Sequence, residues 1–235
     1  MSEEHQIEYD SLKGKLLDIA KQLDEQRLPI RAYHILRIAI KNLILEPGQT
    51  ILEREIAEAL EMSRTPVREA LVRLQTEGLL TLIPRRGFNI NPIKKHDLKE
   101  IYEITETLDG LAVELATTKV TEENIAHLKH LIELQQEQLE QNNLYKWSIL
   151  DDQFHADLIS FANNTRLSSV INIHADQLFR ARLFTINDCP VPYQSIVEHK
   201  AIIACIEAKD KHAARLAMQS HRKRLWGEIV NSLND

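Results

Sequence analysis

The chain has 235 residues, a net charge of −6 and two cysteines, which allows two domains of ordinary size and excludes a small disulfide scaffold. No run approaches the roughly 18–20 apolar residues that span a bilayer, and Met1 opens a polar segment without a signal-peptide pattern. A cytoplasmic protein with no membrane partner is expected, with Cys189 and Cys205, which form no C-x-x-C pair, as reduced thiols.

Residues 1–28 are polar, but Leu12, Leu16, Ile19 and Leu23 recur at intervals of four, three and four, one apolar face of a helix from about Asp10 to Gln26. This N-terminal extension could pack on the body, swap onto a partner subunit or stand as a weak solvent helix, and packing is favoured. Arg31 to Leu45 predicts a helix with Ile35, Ile38, Leu43 and Leu45 among its apolar positions, ended by Pro47-Gly48. Thr50-Ile51-Leu52 can supply a short strand. Ile51 to Leu60 then places Ile56, Ala59 and Leu60 on one helical face.

Met62 to Gly78 carries the organising motif. Ser63 and Thr65 are capping types, and Pro66 fits a first turn, where a missing N–H costs nothing. Val67, Ala70, Leu71 and Leu74 form the apolar row; Arg64, Arg68 and Arg73 lie outside it. Two short helices, the second opening with hydroxyls and arginines, read as helix-turn-helix. Gly78 stops the second helix, Leu79 to Ile83 is β-compatible, Pro84-Arg85-Arg86-Gly87 is a turn, and Phe88 to Asn91 alternates as a returning strand. A basic-tipped hairpin in that place is a wing, able to set Arg85 and Arg86 against phosphates or a minor groove. Leu28 to Lys95 holds eleven Lys and Arg against seven Glu and no Asp, hence +4, which leaves −10 for the rest. A basic module on an acidic body is the asymmetry expected of a DNA reader.

The stretch from Pro29 to Pro92 resembles the winged helix-turn-helix of GntR-type bacterial transcriptional regulators. The matching residues are L-E-P-G at Leu45 to Gly48, L-E-R-E-I-A at Leu52 to Ala57, S-R-T-P-V-R-E-A-L-V-R-L at Ser63 to Leu74, E-G-L-L at Glu77 to Leu80, and P-R-R-G-F at Pro84 to Phe88. The resemblance implies DNA contacts from Arg54, Ser63, Arg64, Thr65 and Arg68 and from the wing at Arg85, Arg86 and Gly87.

Pro92 to His96 is a linker, Asp97 is expected to cap the next helix, and the domain boundary falls at about residue 94, giving an extension 1–28, a winged domain 29–94 and a third segment 95–235. In that last segment nothing reads as strand. Leu98 to Lys119 carries Ile101, Ile104, Leu108, Leu111 and Leu115, and Thr121 caps a helix with Ile125, Leu128, Ile132 and Leu139. Leu144 to Ala162 shows Trp147, Leu150, Phe154, Leu158 and Phe161; about Arg166 to Thr185 shows Val170, Ile173 and Leu178. Helices from about Tyr193 to Lys209 and Lys211 to Ser232 follow. The expected fold is mainly α: a winged helix-turn-helix followed by an all-helical bundle of six helices, whose ligands would sit between helices.

Four polar residues share the phase of the bundle's apolar rows. Asp151 and His155 are four apart beside Trp147, Leu150, Phe154 and Leu158; His199 lies in the row Ile196, Ile203, Ile206; His221 lies in the row Ala214, Ala217, Leu225. One such residue reads as a hydrogen-bonded core histidine. Four together need several partners, and one divalent cation satisfies them at once. Imidazole and carboxylate suit zinc first, with nickel, manganese or iron as alternatives. From periodicity both readings stay open.

This segment is similar to the ligand-binding domain of FadR-like GntR regulators, the FCD type, through D-D-Q-F-H-A-D-L at Asp151 to Leu158, A-N-N-T-R-L at Ala162 to Leu167, E-H-K-A-I at Glu198 to Ile202 and H-R at His221 to Arg222. The resemblance implies that Asp151, His155, His199 and His221 hold a metal. It also implies an arginine in the first bundle helix reaching an acidic effector, but here Thr105 stands at that place and Asp109 replaces a glutamate. A carboxylate effector would rely on the metal and on Arg180 or Arg182, beside Thr105. The reading is a homodimeric transcription factor, a repressor, binding double-stranded DNA at an inverted repeat under control of a small carboxylate. A metal-dependent enzyme using the same site is the competing class, weakened by the lack of H-E-x-x-H and of an evident general base; a pure metal sensor is a third reading.

Overall fold

A computed structural model describes residues 3–233, with side chains described for residues 9–233. The chain divides between Ile93 and Lys94 into two compact units.

The first unit opens with α1 (Glu3–Lys21), whose Leu16, Ile19 and Ala20 are buried in the core formed by α2 (Leu28–Lys41), α3 (Glu53–Ala59) and α4 (Arg64–Thr76). Packing on the acidic body is the expectation for the extension; α1 packs instead on the winged fold itself. α2 starts where Pro29 fits the first turn. It ends four residues before the expected Leu45, because Leu43 turns left-handed (φ 57) and the Ile44 N–H reaches back to the Ala39 carbonyl at 2.8 Å. That is a Schellman stop without glycine, and it drops Leu45 fully into the core. Glu61 (φ 56) closes α3 the same way and Gly78 (φ 76) closes α4.

β1 (Thr50–Ile51), β2 (Leu80–Ile83) and β3 (Gly87–Ile90) form an antiparallel sheet in the order β1-β3-β2, with Ile51 and Leu82 both opposite Phe88. At Gly87 (φ +99) an added Cβ would run into the Ile51 carbonyl oxygen, so glycine is needed for β1 to close on β3.

The second unit is helical throughout among the described residues: α5 (Lys95–Thr117), α6 (Glu122–Glu140), α7 (Leu144–Ser160), α8 (Thr165–Thr185), α9 (Tyr193–Glu207) and α10 (Lys211–Ser232). α5 packs along α10, α6 meets α7 and α9, and α8 lies on α5 and α7. The mainly α class, a winged helix-turn-helix plus a six-helix bundle, is what the molecule has. Thr121 caps α6 through a reciprocal box with Asn124. Asp97 does not cap α5. The helix begins earlier, after Lys94, and Asp97 sits in its first turn, where a carboxylate suits the N-terminal dipole. Val170 and Ile173 are also not core: each is nearly half exposed, and α8 buries Leu167, Ile171, Leu178 and Phe179 instead. Both cysteines are free, and no helix among the described residues is long and apolar enough to cross a membrane.

Candidate functional site

Two places in the molecule carry chemistry, one in each unit. In the first, α4 buries Val67, Ala70, Leu71 and Leu74, and this phase turns Arg64, Thr65 and Arg68 outward. Ser63 holds the N-cap position in an extended conformation, yet its side chain makes no cap bond. The start of α4 therefore offers hydroxyls, guanidinium groups and unpaired backbone N–H groups on one exposed end, a surface suited to phosphates and base edges. Arg64 is steadied by Glu53, whose Oε1 accepts from its Nε at 2.9 Å. Arg54 is exposed on α3. Arg73 is used differently. Its guanidinium lies 3.7 Å from the Tyr33 ring centroid and its Nε donates to Glu77, which also accepts from the Tyr33 hydroxyl. Arg85 and Arg86 are exposed at the wing tip, Arg85 in a left-handed conformation (φ 66).

In the second unit, α7, α9 and α10 bring His155, His199 and His221 together. All three are buried, and one ring nitrogen of each lies within 4.8 Å of the others. The His155 and His221 Nε2 atoms face each other at 3.2 Å. His199 Nδ1 donates to Gln135 Oε1 at 3.1 Å, and His221 Nδ1 donates to Glu198 Oε2 at 2.6 Å. With their Nδ1 protons spent on these acceptors, both rings turn an Nε2 lone pair inward, and His199 Nε2 has no hydrogen-bond partner among the described residues. Lone pairs converging in a dry site, with oriented outer partners, fit a cation-binding imidazole set.

The electrostatics agree. Burial pushes His155 and His199 well below the ordinary histidine range. Burial also lowers His221, with Arg222 and Arg224 adding to it and Glu198 opposing, to about 4. Burial alone would raise Glu198, but hydrogen bonds from His221 and Arg224 bring it down to about 2. The rings are neutral at pH 7, the state in which they can ligate.

Asp151 stands at the edge of this cluster, Oδ1 3.6 Å from His199 Nε2 and Oδ2 3.8 Å from His155 Nε2. Its Oδ2 is in close contact with Arg182 Nη1. Arg180, two residues from Arg182 and so about 200° around α8, leaves the helix on the opposite side and is buried there. Thr105 is buried, but its hydroxyl donates to the Ile101 carbonyl of its own helix at 2.9 Å. Asp109 pairs with Arg222 at 2.6 Å.

Gln135, Glu198, Arg224 and Tyr102 had no role assigned from sequence. Gln135 could have been found, because it falls in the phase of Leu128, Leu131, Ile132 and Leu139, the same signal that marks the histidines. Arg224 bridges Glu198 at 2.6 Å across from α10 to α9, a pairing that no local pattern encodes.

Comparison with known proteins adds the lineage of both units. Residues 29–90 match the model of bacterial regulatory proteins of the gntR family, and residues 100–224 match the FCD domain. YdhC, an HTH-type transcriptional regulator of Bacillus subtilis, is 30% identical over 82% of this chain and 86% of its own length. A regulator encoded in the TAR-I ttuE-ttuC' intergenic region of Agrobacterium vitis is 40% identical over 56% of this chain and 78% of itself. The repressor RspR of Escherichia coli is 26% identical over 82% of this chain and 85% of its own. In fold, E. coli McbR/YncC superimposes with a TM-score of 0.79 at 24% identity, covering 89% of this chain and all of that one.

Proposed function

This chain belongs to the GntR family of bacterial regulatory proteins and is a transcriptional regulator, not an enzyme. From that premise we propose that it is a homodimeric repressor whose helical unit binds a divalent metal and a small carboxylate, which together set its affinity for operator DNA.

On this reading Arg64, Thr65 and Arg68, with Ser63 and Arg54 beside them, contact bases and phosphates in a major groove, and Arg85 and Arg86 track the neighbouring backbone. Gly87 serves by letting β1 close on β3 at the base of the wing. A single winged unit spans only a few base pairs, so two copies would read an inverted repeat. An apolar face is there to join them: Val170 and Ile173, one turn apart on α8, are exposed. The repressor assignment is supported by the relative RspR, which is named as one.

One observation supports the sensing half: three buried imidazoles converge, two of them, His199 and His221, with Nδ1 already engaged. His155, His199 and His221 would hold the metal, with Asp151 as fourth ligand. Zinc is the first candidate, and nickel, manganese or iron suit the same donors. A metal held there polarises ligand oxygens. The carboxylate would rest against Arg182, the one of the three expected effector residues whose polar group faces the cluster. It can change DNA affinity only by binding the DNA-competent and incompetent states unequally, typically by about 1–3 kcal/mol.

Replacing His199 tests this. His199→Ala is expected to lose most bound metal by elemental analysis and to abolish the carboxylate's effect in a DNA titration, while effector-free operator affinity stays nearly intact. Full metal content with a normal effector response would mean that these are structural histidines and that the reading is wrong.

A further inference from the structure

Resting on the reading of α4 as the helix that meets base edges, the pairing of Arg64 goes one step further. DNA is a polyanion, so a carboxylate on the surface that meets it opposes binding unless it has another task. Two carboxylates, Glu53 and Glu69, line the same concavity as Arg64, Thr65 and Arg68. Their surroundings differ. Glu69 stands exposed on α4, with no ion pair among the described residues. Glu53 opens α3 with its side chain only 16% exposed, and its Oε1 accepts from Arg64 Nε at 2.9 Å. The Arg64 side chain is 69% exposed, and its two terminal nitrogens have no hydrogen-bond partner among the described residues.

That arrangement suits recognition. A guanine edge presents O6 and N7 to the two ends of a guanidinium fork. A fork on a long, freely rotating side chain must be immobilised when it binds, and the lost freedom weakens the complex. Held at Nε by a tucked carboxylate, the Arg64 fork is already restrained, and both terminal nitrogens stay available for a base. An ion pair this exposed adds little to folding, so stability is not what the contact supplies. We propose that Glu53 is a positioning residue for base readout: it touches no base itself, and it aims Arg64 at one guanine. Two effects of opposite sign separate this role from plain electrostatics. Removing the charge draws the winged unit towards any phosphate backbone, whereas removing the hydrogen bond harms only the sequence that Arg64 reads.

The test selects a duplex from a randomised DNA library with the full chain. Affinity is then measured for that duplex, for its single-base variants and for a scrambled duplex, at low and at physiological salt. Arg64→Ala identifies the base pair that Arg64 reads, by losing the preference there. Glu53→Ala is expected to lose the preference at that same base pair, so that its selected-to-scrambled affinity ratio falls about three- to tenfold. Its affinity for the scrambled duplex should rise, more so at low salt. Glu53→Gln keeps an acceptor for Nε without the charge and should restore the preference. Glu69→Ala should tighten both duplexes alike. In the Arg64→Ala background, Glu53→Ala should change the ratio no further. Equal tightening of both duplexes by Glu53→Ala, an unchanged ratio, or a Glu53→Gln variant as indiscriminate as Glu53→Ala overturns the proposal. Uniform weakening on both duplexes with a lowered melting temperature means a structural role and overturns it too. If Arg64→Ala keeps every base preference, the reading of α4 fails and takes the proposal with it; if Arg64→Ala loses one and Glu53→Ala does not, the proposal alone fails.

Discussion

Exposed arginines on one helix are not equivalent, and their neighbours say which ones are available. Arg73 is held on two sides, by the Tyr33 ring and by Glu77, whereas Arg68 projects from the solvent face of α4. Arg68→Ala should therefore cost roughly 1–3 kcal/mol in operator binding and blur the preference at one base pair. Arg73→Ala should leave base preference alone and lower the melting temperature instead, through a stack of about 0.5–1 kcal/mol. Binding assays on an operator library, with thermal melts, separate the two; a specificity change in Arg73→Ala would contradict the assignment. The arginines were visible in the sequence because they fall outside the apolar row. The division of labour among them was not, since Glu77 is a local i,i+4 neighbour of Arg73 but Tyr33 comes from α2, far back in the sequence.

At the scale of elements, what the sequence showed depended on whether a signal was local. The α4 boundaries, the Thr121 cap and the phase of the histidines all follow from residues within a turn or two of one another. The end of α2 does not, because Leu43 in a left-handed conformation has no compositional mark; only the burial of Leu45 explains the turn. α8 misled for a related reason. Val170, Ile173 and Leu178 are spaced like one face, yet the neighbours α5 and α7 cover the opposite side of its first half. In the proposed dimer this uncovered apolar face is where a second copy packs. Light scattering should find a dimer at micromolar concentration, and Val170→Glu with Ile173→Glu should shift it to monomer while the far-ultraviolet circular dichroism stays helical. A double variant that remains dimeric would place the interface elsewhere.

For the whole molecule, the family motifs and the charge split made two units legible from the sequence, a basic DNA-binding one and an acidic helical one. The Arg224 bridge to Glu198 was not legible, because it joins α10 to α9 and only the fold assembles it. The buried imidazoles also bear on the stability of the helical unit. His221 is held at about 4 against the usual 6.5, so the unfolded chain binds more protons between those values. Its contribution is full above 6.5 and is lost as pH falls towards 4. Glu198, lowered from 4.5 to about 2, adds a second loss only below 4.5. Melts of the metal-free protein should therefore fall steadily from about pH 6.5 to pH 4.5. The metal-loaded protein should fall more steeply, since protons also compete for the ligands. A flat profile across that window would show that the histidines are not buried as neutral rings.

The pairing of α5 with α10 has a consequence in time. The winged unit is complete once Ile93 has been made, but His221 lies in α10, the helix that α5 must wait for. At about 5–20 residues per second, a growing chain carries a finished winged unit for on the order of ten seconds before α10 can close the helical one. During each round of synthesis the DNA-binding unit is complete before the helical unit can be.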